Sequence, residues 1–193
     1  MNDSLPVSAI VTHYNRSDLI GAAVESIRRQ TAQPAETIIV DDASLPEHRD
    51  ALRKYSPGAR VIYLDKHRGP SAARNAGIEA ATQDWVAFLD DDDEWLPGKL
   101  ERQWSILRED EALSAVAGAL IVAYDGLAHH TQVSHSPAIT TLSAALEGTL
   151  ASMDTILIRA ADIRALRGFD ANFVRFEDKE FWIRFTAAGY RGY

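Results

Sequence analysis

Short apolar runs alternate with helix-like segments through the first half of this chain, and that alternation restricts the fold more than any other feature. Val7 to Val11 reads as a buried strand, and Ser17 is placed to cap a helix with Leu19, Ile20, Ala23, Val24 and Ile27 on its apolar face. Thr37 to Val40 predicts a second strand, the polar stretch reaching Leu52 a helix, and Val61 to Leu64 a third strand. Ser71 opens an alanine-rich helix that runs to about Thr82, and Trp85 to Leu89 makes a fourth strand. Pro97 then starts a helix with Leu100, Trp104 and Leu107 on one face. Strands that are apolar almost throughout, each followed by a helix, belong to a parallel sheet covered on both faces.

After about Ala112 the rhythm breaks. Ala115 to Ala123 and Ser152 to Ile158 predict strands, and Asp178 to Ala188 has helical spacing through Phe181, Ile183 and Phe185. Tyr124 to Pro137 is polar and aperiodic; His129, His130 and His135 have no metal-ligand spacing with nearby partners and read as loop residues. The expectation is one α/β domain over 1–193, with a mostly parallel central sheet flanked by helices. About 1–110 forms a nucleotide-binding half and about 111–193 a smaller, irregular half that shapes a second substrate's site.

A chain of 193 residues buries roughly 70% of its unfolded surface, enough for a real core. The formal charge of −8 argues against nucleic acid as a partner, because such affinity comes from neutralising phosphates with a basic face. It leaves room for a phosphorylated substrate if a cation mediates the contact. With no cysteine there is neither a disulfide framework nor a thiolate zinc site. Met1 to Pro6 lacks the basic start of a signal peptide, and no apolar run approaches the ~20 residues of a membrane helix. The expected location is the cytoplasm, with peripheral attachment at the inner face of the membrane as the one compatible membrane contact.

The polar residues gather where the strands end. Strand one runs into Thr12-His13-Tyr14-Asn15-Arg16, strand two into Asp41-Asp42, strand three into Asp65-Lys66-His67-Arg68, and strand four into Asp90 to Glu94. In an open parallel sheet these carboxyl ends share one edge, and ligands bind there where the strand order reverses. Five adjacent acids from Asp90 to Glu94 repel one another, and a hard divalent cation would relieve that repulsion by taking oxygen ligands from one or two of them and from phosphates. A solvated loop at the positive end of a helix is the bland alternative. Asp41-Asp42 fits either a turn or a hydrogen-bond acceptor for a base or ribose. The stretch Lys66 to Asn75 carries a basic loop into a helix start, where anions are favoured and Arg74 adds a bidentate phosphate donor. Asp178 is either the cap of the last helix or a carboxylate able to deprotonate an attacking hydroxyl.

In this order the motifs resemble family 2 of the inverting glycosyltransferases, with the GT-A fold. The matching stretches are Val7 to Arg16, Ile38 to Ser44, Gly69 to Ile78 and Phe88 to Trp95, followed by Gly168-Phe169-Asp170, Glu177-Asp178 and Arg184 as an acceptor-side pattern. The resemblance implies a nucleoside-diphosphate-sugar donor, a UDP-sugar above others, and a carbohydrate, lipid-linked or other hydroxyl acceptor, in polysaccharide or cell-surface glycan synthesis. It implies that Thr12 and Tyr14 flank the base, Asp42 binds it, and Arg16 and Arg74 approach the donor. Asp90 and Asp92 match the outer acids of a D-x-D motif for Mn2+ or Mg2+, Asp92 more directly, with Asp91 near the ribose or sugar and Asp178 as catalytic base. Family members usually continue beyond the position of Gly189, which implies an unusually short enzyme or one domain of a longer protein.

Rival readings differ at identifiable positions. A sugar nucleotidyltransferase would carry a Gly-rich basic loop directly after strand one, where this chain has Thr12 to Arg16. A nicotinamide dehydrogenase would carry G-x-G-x-x-G there. A phosphatase with an aspartate pair would place it on the first strand. A donor-binding domain that transfers nothing is the rival from outside enzymology.

Overall fold

The computed structural model describes residues 4–119, 121–124, 127–129, 151–173 and 175–193. Among the described residues, six strands form the main sheet: β1 (Leu5–His13), β2 (Pro34–Asp41), β3 (Arg60–Tyr63), β4 (Trp85–Asp90), β5 (Ala115–Val116) and β8 (Leu157–Arg159). Their order is β3-β2-β1-β4-β8-β5. The first four run parallel, while β8 is antiparallel to both β4 and β5. A separate ribbon pairs β6 (Val122–Tyr124) with β7 (Leu127–His129). This is the expected mixed α/β architecture with a mostly parallel sheet.

The apolar strands are explained by burial on both faces. Successive strand residues point to opposite sides, so Val7, Ala9 and Val11 of β1 join one core while Ile10 joins the other. The first core includes residues of α1 (Ile20–Arg28), α2 (Pro46–Tyr55) and α4 (Lys99–Glu109); the second includes residues of α3 (Pro70–Ala80), α5 (Ala160–Ala165) and α6 (Glu177–Ala187). Helix α3 lies so close to β1 that a Cβ at Gly77 would collide with Ile10, which accounts for glycine in mid-helix.

Several expected boundaries shift for local reasons. Ser17 does not cap α1; its hydroxyl lies 2.9 Å from His48 Nδ1, and Leu19 takes the cap position, largely exposed rather than on the buried face. Gly69 at φ 85° caps α3, followed by Pro70, so Ser71 is already inside the helix. Gly98 caps α4, and Pro97 precedes it. The long strand expected over Ala115 to Ala123 is two short pieces, because the chain leaves the sheet after Val116 and Gly118 N–H bonds to Thr155 O. Ser152 to Ile158 is not one strand either. Ser152 O accepts from both the N–H and the hydroxyl of Thr155, closing a 3₁₀ turn at Met153–Thr155 before β8 begins. Most of the polar, aperiodic stretch from Tyr124 to Pro137, including His130 and His135, lies outside the described residues, while His129 ends β7.

Candidate active site

Strand β1 sits between β2 and β4, so the parallel order reverses there and opens a crevice at the carboxyl ends. Register brings Thr12 opposite Asp90 and His13 opposite Asp41. A cleft of about 280 Å³ follows, lined by Thr12, His13, Tyr14, Arg16, Asp42, His67, Pro70, Ala73, Asp90 and Asp91.

The two acids ending β2 have separate jobs. Asp41 is fully buried, and its Oδ2 accepts from Arg49 Nε at 2.8 Å and from Ser44 N. Asp42 faces the cleft and holds the loop before α3: Oδ1 accepts from Arg68 N at 2.9 Å and Oδ2 from Gly69 N at 2.7 Å. Nδ1 of His67, in that same loop, lies 2.8 Å from Asp42 Oδ2, and its ring stacks on Tyr14 with centroids 3.9 Å apart.

Adjacent acids of the Asp90–Asp93 run are also unlike one another. Asp90 accepts from Thr12 Oγ1 at 2.7 Å and from Arg74 Nη2 at 3.0 Å on each oxygen. Asp91 is buried; His13 Nδ1 lies 2.8 Å from its Oδ2, which also accepts from Tyr14 N, while Arg16 reaches its Oδ1 at 3.2 Å. Asp92 turns outward, its side chain 45% exposed, and pairs with Arg16 Nη1 at 2.5 Å. The Asp93 carboxyl is held above the ordinary range by burial, then by Asp92 and Asp90.

Behind the run sits a residue that sequence reasoning missed. Asp154, from the 3₁₀ turn, accepts from the Asp90 backbone N–H at 2.8 Å and from Ser152 Oγ at 2.9 Å. Burial, reinforced by Asp90 and Asp93, pushes its carboxyl up to about 7. Nearby, the Lys99 ammonium lies 4.3 Å from the Trp95 ring centroid and donates to Gln103 Oε1. Burial lowers this amine to about 7, with Asp154 pulling the other way. The available signal was a polar dip, Ser152, Asp154 and Thr155, inside the otherwise apolar stretch from Ala151 to Ile158.

Arg74 joins the two halves. Only 4% exposed, it spans from Asp90 to Glu177 Oε1 at 2.9 Å. Burial works against its charge, but Asp90, Asp154 and Glu177 outweigh that and hold it more firmly protonated than usual. Glu177 is the first residue of α6, and Phe176 before it adopts a left-handed φ of 63°.

Residues 8–167 match the family described as Glycosyl transferase family 2. The chain belongs to that family. The "putative teichuronic acid biosynthesis glycosyltransferase TuaG" of Bacillus subtilis is 32% identical over 190 residues, covering 97% of this chain and 74% of that protein. Among solved structures, S. aureus TarS 1–349 in complex with UDP-GlcNAc superposes with a TM-score of 0.79 at 22% identity, covering 97% of this chain and 55% of TarS. The mannosyltransferase PcManGT from Pyrobaculum calidifontis, in complex with GDP-Man and Mn2+, gives 0.74 at 21% identity, covering 98% and 54%. At these identities the two structures share the fold, and this chain spans little more than half of each. The fold is therefore GT-A.

Within this family 2 domain the expected residues fall into two groups. Thr12, Tyr14, Arg16, Asp42, Asp90 and Asp91 line the one cleft. Arg74 lies against Asp90, and Asp92 stands at the outer end of Arg16. Asp178, in the first turn of α6, is half-buried and does not line the cleft; its Oδ1 accepts from Lys179 N at 2.7 Å. Part of the supposed acceptor-side pattern is bracing. Asn75 of α3 donates to Phe169 O at 2.7 Å and accepts from Phe169 N at 2.8 Å, while Gly168 suits its position on two counts, a φ of 65° and a Cβ that would strike Asn75. Arg184 bonds to Gly168 O and to Glu180, tying α6 to the same turn.

Proposed function

We propose that this family 2 domain is an inverting, metal-dependent enzyme that moves a sugar from a nucleoside diphosphate, UDP first among candidates, to a hydroxyl acceptor. The observation that carries this is one cleft at the β1/β4 crevice in which Thr12, Tyr14, Asp42, Asp90 and Asp91 meet, with Arg74 connecting its acidic wall to Glu177, the neighbour of Asp178. Tyr14 and Asp42 take the base, by stacking and by hydrogen bonding, with Thr12 beside it. Asp91, fixed by His13 and the Tyr14 N–H, meets the ribose or sugar. Arg16 and Arg74 contribute positive charge along the diphosphate.

The donor set suits Mg2+ or Mn2+. Among the described residues no three His, Asp or Glu side chains converge on one point, so the protein would supply one or two carboxylates and phosphate oxygens the rest, as Mg2+ commonly prefers. Asp92 is the outward-facing carboxylate, whereas Asp90 would share its oxygens with Arg74 and Thr12. Burial raises the Asp93 carboxyl first, and the adjacent charges of Asp92 and Asp90 raise it further, so negative charge crowds this end of the run. When bound, the cation would withdraw charge from the departing diphosphate as a Lewis acid. Asp178 takes the proton from the acceptor hydroxyl, which attacks the anomeric carbon opposite the leaving group and inverts it; in-line positioning supplies much of the acceleration.

Two substitutions test the assignment. Asp92→Ala should abolish metal-dependent donor turnover, and unchanged activity would overturn the metal role. Asp178→Asn should leave donor binding intact in calorimetry and destroy transfer, and an active Asn variant would refute the base. The acceptor class we propose is a carbohydrate, free or lipid-linked, in surface-polysaccharide synthesis, in keeping with the teichuronic acid role in TuaG's name. Such an enzyme would work in the cytoplasm or at the inner face of the membrane, and among the described residues no helix is long and apolar enough to cross a membrane.

A further inference from the structure

We infer that His67 belongs to the base subsite and stands there in place of the nucleobase, so that it sets donor affinity by competing with it. The inference rests on the reading that Tyr14 and Asp42 receive the base. A base at that position would make two contacts: a face stacked on Tyr14 and an edge directed at Asp42. His67 makes both. Its ring lies over Tyr14 at 3.9 Å between centroids with 18° between planes, and Nδ1 lies 2.8 Å from Asp42 Oδ2.

The spacing decides between a partner and a competitor. Aromatic faces in contact are about 3.5–4 Å apart, so a base sandwiched by both rings would need roughly twice the observed separation. His67 therefore cannot share Tyr14's covered face with a base; one ring must leave. His67 is the one free to go. It lies in the loop between β3 and α3, its side chain is 51% exposed, and the loop's backbone is held independently by Arg68 N and Gly69 N on Asp42. The imidazole can swing out while that anchor stays. Its departure would also free the side of Oδ2 that faces the ring nitrogen, while the bond from Gly69 N to that oxygen stays. With no donor bound, His67 covers one face of Tyr14 and Asp42 is buried, and a ligand that needs the open form has its apparent affinity reduced by the fraction of molecules in that form.

The test uses the full chain and UDP as probe, by calorimetric titration of wild type, His67→Ala and Tyr14→Ala. A stacked aromatic contact of the usual strength corresponds to roughly 2- to 10-fold in binding. His67→Ala should bind UDP more tightly by about that factor and Tyr14→Ala more weakly. The imidazole proton signal of His67, shifted by the Tyr14 ring current in the free protein, should move toward its unstacked position on adding UDP. If His67→Ala binds UDP equally or less tightly, or the signal stays put at saturation while Tyr14→Ala still weakens binding, His67 is no competitor and the inference fails alone. If Tyr14→Ala binds UDP as well as wild type does, the base site itself is misplaced and both readings fall.

Discussion

The two sides of the cleft were built by different rules. On the donor side, residues 4–110, each strand ends in its polar cluster, and backbone register alone sets Thr12 against Asp90. On the other side, useful groups arrive from irregular pieces: Asp154 from a 3₁₀ turn and Glu177 from a helix entered through a left-handed residue. Yet both reach back to the same acid, Asp154 through the Asp90 N–H and Glu177 through Arg74. The regular half thus supplies the positions, and the irregular half holds the charges there.

Arg74 offers the hardest way to break that division. Replacing it with Met would leave Asp90 and Glu177 without their shared cation, and removing one partner from a buried charge network costs about 3–5 kcal/mol. Urea unfolding should show a loss of that order, and transfer should fall with it. Arg74→Lys should recover only part, since an ammonium cannot span both carboxylates as the planar guanidinium does. A variant that kept wild-type stability would mean that the halves are joined elsewhere.

How much of this could be read from the sequence follows the same division. Strand-end clusters announce themselves because period and polarity change together, as at Leu89 to Asp90 and Val40 to Asp41. The parallel sheet and the members of the cleft were legible for that reason. Asp154 was not, because its role depends on a backbone N–H 64 residues earlier in the chain, which no local pattern encodes. The capping errors at Ser17 and Ser71 have a related cause. A serine hydroxyl caps only if nothing better is near, and His48 took the first, while the left-handed Gly69 with Pro70 pre-empted the second.

Gly168 tests whether the second half can be loosened by itself. Its φ of 65° and the crowding by Asn75 make Gly168→Ala unfavourable on both counts, and a non-glycine residue forced into that region costs about 1–3 kcal/mol. Thermal unfolding should fall by roughly 2–4 °C for each kcal/mol. UDP affinity should remain near wild type, because the cleft's own residues are untouched; a large loss would show that the donor side depends on this turn.

A smaller effect should separate Asp154 from its neighbours by pH. Its carboxyl is raised from 3.8 to about 7, so the native state keeps a proton that the unfolded chain releases across that window. Stability contributed by this group is present at low pH and falls as pH rises toward about 7. Lys99, lowered from 10.5 to about 7, acts in the opposite sense above that point, where the unfolded chain holds the extra proton and stability rises with pH. Comparing Asp154→Asn with wild type, the gap in melting temperature should shift against wild type between about pH 5 and pH 7, by roughly 2–4 °C for each kcal/mol. A constant gap would place the Asp154 proton elsewhere.

Arg16→Gln should have the smallest effect on stability and the most specific effect on binding. The guanidinium is 52% exposed and its partner Asp92 45%, so solvent screens the pair, and such surface contacts contribute about 1 kcal/mol at most. Unfolding should therefore barely change. In the free protein, however, Arg16 is the positive charge on Asp92, the carboxylate proposed for the cation, and removing it takes away a competitor for that oxygen. Mn2+ titrated without nucleotide and followed by electron spin resonance should bind Arg16→Gln more tightly than wild type, while UDP without metal should bind it less tightly because a diphosphate-side charge has gone. Opposite signs in the two titrations would show that one residue serves the acidic run when the cleft is empty and the donor when it is filled. If both affinities fell together, Arg16 would be a fixed part of the metal-bearing geometry and not its counter-ion.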